Sequence, residues 1–184
     1  GQPPPLVLTP LGAGRYVRDL APVHERDWWD SLRMQRPGDD LVFTLVPQQH
    51  WSMRVPWDRD TALWGGWVAQ GAEGTAYHAG DTAYFSRFGE IGARIGKIDW
   101  AMLPIGAYDP QWFMQPQHMG PEEAGRAFEI LRAKHLLAMH WGTFKLTDEP
   151  LAEPPERLRA WAKSAGVADE RVWIFDAGET RKLG

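Results

Sequence analysis

Cysteine does not occur among the 184 residues. Disulfides are thereby excluded, and with them any thiolate metal site or cysteine nucleophile. The chain suits reducing or oxidising surroundings alike. Any metal must be held by imidazole and carboxylate, a donor set that fits borderline cations such as zinc. Clusters of basic residues are missing too. Lys and Arg stand singly or in pairs such as Arg181-Lys182, and the formal charge is −4. Nucleic acid is therefore not expected as a partner, because phosphate binding needs a concentrated positive face. No stretch approaches the roughly 20 apolar residues of a membrane helix, so no transmembrane segment is expected. Gly1-Gln2-Pro3-Pro4-Pro5 has neither a basic n-region nor an apolar h-region, so no signal peptide is expected. A cytoplasmic or membrane-peripheral location is the expectation.

What is present describes one packed unit. Apolar residues make up 43% and charged residues 24%, an ordinary balance for a globular domain with a real core. Eleven Trp are the compositional oddity. Core packing and pocket walls account for most of them, with an interfacial role for some as the other reading.

The pattern along the chain is strands first, then strands alternating with helices, which predicts an α/β layered fold with helices on a sheet. Leu6–Thr9 reads as a short strand, Pro10–Gly14 as a turn and Arg15–Ala21 as a short helix. Asp27–Asp30 enters another strand, and Arg36-Pro37-Gly38-Asp39 is a turn by composition. Leu41–Val46 is a β-branched and aromatic run between Asp40 and Pro47, and is a strand. Thr61–Gln70 and Gly74–Ala79 are strands joined by a tight turn. A helix over Phe85–Gly96 and a buried strand over Trp100–Ile105 follow.

Pro121 opens a helix, with Glu122 and Glu123 at its positive end and apolar residues at Ala124, Ala127, Phe128 and Leu131. His135 is placed at the end of that helix and Leu136–Met139 on the next strand. A second helix runs from Pro155 to Gly166, and Val172–Phe175 closes the set.

Three polar residues stand immediately after strands: His50, Asp81 and His140. Strand ends are where layered α/β proteins assemble sites, because the sheet fixes the backbone while loops give access. Two imidazoles and a carboxylate form a sensible ligand set for zinc. Spacing alone does not separate a metal site from hydrogen-bonded loop residues. His24 reads as a surface residue, and His78 as a core residue or one supporting Asp81.

The local contexts go further. Pro47-Gln48-Gln49-His50-Trp51, Gly80-Asp81-Thr82 and His140-Trp141-Gly142-Thr143-Phe144 resemble the second-half metal motifs of the metallo-β-lactamase superfamily. Leu103–Tyr108, Trp112-Phe113-Met114 and Gln117–Ala124 look more specifically like the N-acylphosphatidylethanolamine-hydrolysing phospholipase D family. The resemblance covers nearly the whole chain, with its motifs in the family's order.

It implies the second αβ half of an αββα sandwich and a metal-dependent phosphodiesterase of phospholipase D-like specificity, acting on a small-molecule or lipid phosphodiester. It also implies two divalent ions, zinc by donor type: His50 on one, His140 on the other, Asp81 bridging, with a metal-bound hydroxide as nucleophile. His118 would act on substrate or leaving group, Gln117 would share that role, and Tyr108 and Trp112 would wall the pocket. A lactonase, a sugar-phosphate hydrolase and an inactive association module are the alternatives.

One motif of the superfamily, H-x-H-x-D-H, is absent from these 184 residues. The resemblance assigns the remaining ligands to that segment, N-terminal to the region matched here. The chain is thus expected to be a C-terminal half-domain over residues 1–184, inactive alone, and to pair with its N-terminal half or a second copy.

Overall fold

The computed structural model describes residues 5–35 and 37–182. Gly1–Pro4 of the N-terminal Pro-rich reading, and Arg36 of the expected turn, lie outside the described residues. In chain order the elements are β1 (Val7–Pro10), β2 (Val23–Arg26), β3 (Ser31–Met34), β4 (Leu41–Val46), β5 (Gly66–Gly71), β6 (Gly74–His78), α1 (Phe88–Ile95), β7 (Trp100–Pro104), α2 (Gln111–Met114), α3 (Pro121–Leu131), β8 (His135–Met139), α4 (Glu153–Ser164) and β9 (Val172–Ile174).

Strands β3 to β9 lie side by side in chain order in one seven-stranded sheet, and β1 and β2 form a separate parallel pair. The sheet changes character at β6. From β3 to β6 it is an antiparallel meander, and from β6 to β9 the pairs are parallel. Parallel neighbours need a crossover, which α1, α2 with α3, and α4 supply in turn. The mixed α/β architecture expected from the element pattern is present.

The two faces of the sheet differ. Val68, Tyr77, Ala101, Leu103, Leu136 and Ala138 point to the helix side, where they join Ile91, Phe128, Leu131 and Leu158 in one buried core. Side-chain alternation sends their neighbours to the other face. There Trp67, His78, Met102, Leu137 and Trp173 lie in one cross-strand row. His78 is exposed and the other four are half-buried. Apart from His78 the row is apolar, a composition suited to packing against a further layer.

Helices α3 and α4 meet at a glycine. A Cβ on Gly125 would stand 2.3 Å from the Trp161 indole, so the close approach requires a residue without a side chain. Expected and observed elements differ in short segments. Arg15–Ala21 is not a helix; only a 3₁₀ turn forms, over Gly14–Tyr16. Thr61 stays outside β5 because its backbone and hydroxyl both turn back to the Asp58 carbonyl, at 3.2 and 2.6 Å. His135 opens β8 rather than ending a helix, since Arg132 takes a left-handed conformation (φ 54°) and stops α3 at Leu131. Pro154 and Pro155 occupy the first turn of α4, so it begins at Glu153, before the expected Pro155.

Candidate metal centre

The end of each of three strands carries one polar side chain to the same place. After β4, Gln48 is buried with its amide on the Tyr77 hydroxyl, and the Gln49 N–H donates to Thr82 Oγ1 (3.1 Å). This stretch is pinned, and His50 follows it. After β6, Gly80 takes φ 66°, a left-handed turn open to glycine, and Asp81 projects beyond it. After β8, His140 itself takes φ 60°, uncommon for a residue with a Cβ. Such conformations cluster at functional sites, where the surrounding structure imposes them.

A fourth residue arrives from outside the sheet. His118 follows α2, and its N–H donates to the Met114 carbonyl at 2.8 Å. Its ring stacks on His140, with centroids 5.3 Å apart and planes within 16°, and meets His50 edge-on at 5.2 Å. His140 Nε2 is 3.5 Å from Asp81 Oδ1. One potential ligand atom from each of His50, Asp81 and His118 lies within 4.8 Å of the other two. Burial first, then electrostatic coupling to the neighbouring His140 and His50, pushes the His118 pKa down to about 4, against the opposite pull of Asp81 and Glu149.

The ring nitrogens test whether these residues suit a cation. His50 Nδ1 lies 2.9 Å from the Trp51 carbonyl, which can only accept, so Nδ1 carries the proton and Nε2 presents its lone pair. His50 Nε2, His118 Nδ1 and His140 Nδ1 are all buried without a hydrogen-bond partner. Orphaned buried nitrogens are costly unless something binds them. The set whose ligand atoms come together closely enough for one divalent ion is His50, Asp81 and His118; His140 stands beside it, with Nε2 towards Asp81, outside that set. The outward bond from His50 Nδ1 is how liganding imidazoles are commonly oriented.

The four residues line a cleft of about 620 Å³ with Trp51, Met53, Arg59, Phe113, Gln117 and Leu146 among its walls. An adjoining cavity of about 310 Å³ shares Ala107, His140, Leu146 and Thr147 with it. The other sequence candidates take different places. Gln117 lines the cleft and accepts from Trp51 Nε1 at 2.8 Å. Tyr108 is 4% exposed, lies outside the cleft wall, and donates its hydroxyl to Glu153 at 2.7 Å. Trp112 is 81% exposed and stacks obliquely on Phe113. His78 accepts from the Gly80 N–H at 3.0 Å, and His24 is exposed on β2.

Two residues of this region escape sequence reasoning. Arg59 places a guanidinium in the cleft wall, 5.5 Å from the Trp51 ring centroid. Glu149 is a buried carboxylate that accepts from the N–H groups of Ala107 (2.6 Å) and Asp109 (3.2 Å). Neither stands in a motif. The only sequence signal for Glu149 is its place just after the His140 segment.

Comparison with known proteins shows the family. The family profile described as beta-lactamase superfamily domain matches residues 7–141. N-acyl-phosphatidylethanolamine-hydrolyzing phospholipase D 1 of Caenorhabditis elegans is 33% identical over 161 residues, covering 83% of this chain and 45% of that protein. A metal-dependent hydrolase of Pyrobaculum aerophilum is 33% identical over 147 residues, covering 79% and 55%. The chain therefore spans about half the length of these curated relatives. Among solved structures, the metallo hydrolase Igni18 of Ignicoccus hospitalis superposes with a TM-score of 0.68 at 24% identity, over 95% of this chain and 65% of that one. That likeness is one of fold. With the profile spanning both β1 and His140, this chain belongs to the metallo-β-lactamase superfamily, alongside the N-acyl-phosphatidylethanolamine-hydrolysing phospholipase D-like relatives.

Proposed function

We propose that this chain is the C-terminal half of a metal-dependent hydrolase domain, and that the assembled protein cleaves phosphodiesters bearing an apolar portion. The observation that carries the reading is the convergence of His50, Asp81, His118 and His140 on one cleft, with a buried unpartnered nitrogen on each imidazole. His50, Asp81 and His140 would hold divalent metal, zinc by donor type. Asp81 offers two oxygens and is the residue suited to serve a pair of ions. When bound, such ions polarise a phosphoryl oxygen and lower the pKa of water towards neutrality.

The chain's own residues do the rest. His118 presents a nitrogen to the cleft without a competing partner, which suits binding or proton transfer at the leaving-group side. Arg59 adds positive charge for an anionic substrate. Trp51, Met53, Phe113 and Leu146 offer apolar wall to the hydrocarbon part. The Caenorhabditis elegans relative, named as an N-acyl-phosphatidylethanolamine-hydrolyzing phospholipase D, supports this substrate class.

The row of Trp67, Met102, Leu137 and Trp173 supports a half-domain that is completed by further polypeptide. Its cover is the N-terminal half of an αββα sandwich, which also brings the H-x-H-x-D-H ligands, or a second copy of the chain. Taken by itself the chain is then an inactive association module.

The experiment supplies the N-terminal half, loads zinc and compares substrates. Higher kcat/KM for acylated phosphodiesters than for β-lactams is the expected result. Faster cleavage of a β-lactam than of every phosphodiester tried overturns the substrate assignment.

A further inference from the structure

His118 reaches the cleft from a strap, residues 106–118, that belongs to no strand, so something else must fix it. The strap touches the His140 backbone at its start: a Cβ on Gly106 would lie 2.3 Å from the His140 carbonyl oxygen. Next, Ala107 takes φ 64°, and its N–H and that of Asp109 both point at the Glu149 carboxylate, at 2.6 and 3.2 Å. The Asp109 carbonyl accepts in turn from the Asp148 N–H at 3.1 Å. Tyr108, between them, donates to Glu153, and the Arg157 guanidinium lies over its ring at 4.6 Å.

Beyond the strap, Arg157 closes a two-point ion pair with Glu122 at the start of α3, at 2.9 and 2.7 Å. Within it, Pro110 accepts from Phe113 and Met114, and Met114 accepts from His118. Hydrogen bonds on either side of the covalent Asp109–Pro110 link thus connect Glu149 to the backbone of His118.

We infer that Glu149, with Glu153 and Arg157, forms a clamp on the His118 strap that sets the position of the His118 ring against His140. Glu149 is a positioning residue in this arrangement: it lies outside the cleft wall and acts through backbone amides. A carboxylate is the side chain for the task, because two oxygens can satisfy two convergent N–H groups at once, and charged acceptors make the stronger bonds. Burial works against its ionisation, but the Thr147 hydroxyl and the backbone amides, Ala107 and Asp109 among them, hold its pKa below the usual Glu value. The inference rests on the proposed role of His118, but its test can be read without turnover.

In the assembled, zinc-loaded protein, Glu149→Ala should strip hydrogen-exchange protection from the Ala107 and Asp109 amides and move the His118 imidazole resonances. It should lower kcat by about 10- to 100-fold, the penalty of an ångström-scale misplacement, with KM and metal content unchanged. Glu149→Gln keeps one acceptor oxygen and should recover part of each effect. Tyr108→Phe, which loses only a hydroxyl, should move the same resonances less; these two variants carry the test should Glu149→Ala not fold. A lower melting temperature with wild-type kcat per folded molecule and unmoved His118 resonances overturns the clamp. Absence of phosphodiesterase activity in the wild type would refute the proposed function alone, and the amide and imidazole signals would still decide the clamp.

Discussion

His118 and His140 lie ring over ring, 5.3 Å between centroids, although one follows a four-residue helix and the other ends a strand of the sheet. The stack gives one residue two functions to choose between. His118 is near enough to Asp81 and His50 to share a metal with them, yet it enters from the strap rather than from a strand end. In the proposed function His118 serves the substrate.

Replacing His118 by Ala should therefore leave metal stoichiometry intact and lower turnover by about 10²–10⁴-fold, the range for acid–base groups. Elemental analysis alongside initial rates reads both quantities. Loss of a full equivalent of metal in this variant would move His118 into the ligand set.

The strand-end residues should behave in the opposite way. His50→Ala, Asp81→Ala and His140→Ala each remove a donor, and the affinity for zinc in the assembled protein should fall at least about tenfold, since even outer-shell losses cost that much. Asp81→Ala should be the most severe, because in the proposed centre its two oxygens would serve both ions. Competition with a chromophoric chelator measures this, and undiminished metal in Asp81→Ala would exclude a bridging role.

Gly125→Ala tests the packing that holds the strap's clamp in place. Helix propensity favours Ala over Gly by about 1 kcal/mol. The new methyl, however, would meet the Trp161 indole at 2.3 Å, inside any tolerable contact. Overpacking of this kind costs about 1–3 kcal/mol, so the clash should win and the variant should be less stable. Chemical denaturation reads the sign; a more stable variant would mean that α4 moves aside freely.

Acid should loosen the clamp before it unfolds the core. Glu149 is held below the ordinary Glu value of 4.5, with burial opposing and the Thr147 hydroxyl and backbone amides prevailing. A depressed carboxylate contributes stability that is complete above its unfolded pKa and is lost as pH falls through the folded one. The loss should therefore begin below about pH 4.5, and Glu149→Gln should flatten that limb of the stability curve. An unchanged acid limb in Glu149→Gln would mean that the carboxylate contributes nothing there.

Much of this was legible from sequence, and what was not has physical reasons. Leu41–Val46 and Trp100–Pro104 announce themselves because long apolar runs between turn residues leave few other states. β2 does not: Val23-His24-Glu25-Arg26 has a single apolar residue, and it is a strand because its backbone pairs with β1. α2 is only four residues long, too short for any periodic signal.

In the cleft, His50, Asp81 and His140 were marked by their positions after strands. Arg59 and Glu149 were not, because a loop guanidinium and a buried carboxylate carry no pattern until the fold closes. Tyr108 shows the same limit, since its direction is decided by Glu153 and Arg157 across the fold.

The most direct test of the central claim, a metal centre half supplied by this chain, is a zinc titration of the chain alone, run beside light scattering on a sizing column. Weak, substoichiometric zinc binding, no turnover, and self-association through the row of Trp67, Met102, Leu137 and Trp173 are expected, because a contiguous apolar row on one sheet face favours a partner. Adding the N-terminal half should tighten zinc binding and restore turnover. A stable monomer of 20.9 kDa that binds two zinc ions tightly and cleaves a phosphodiester unaided would contradict it.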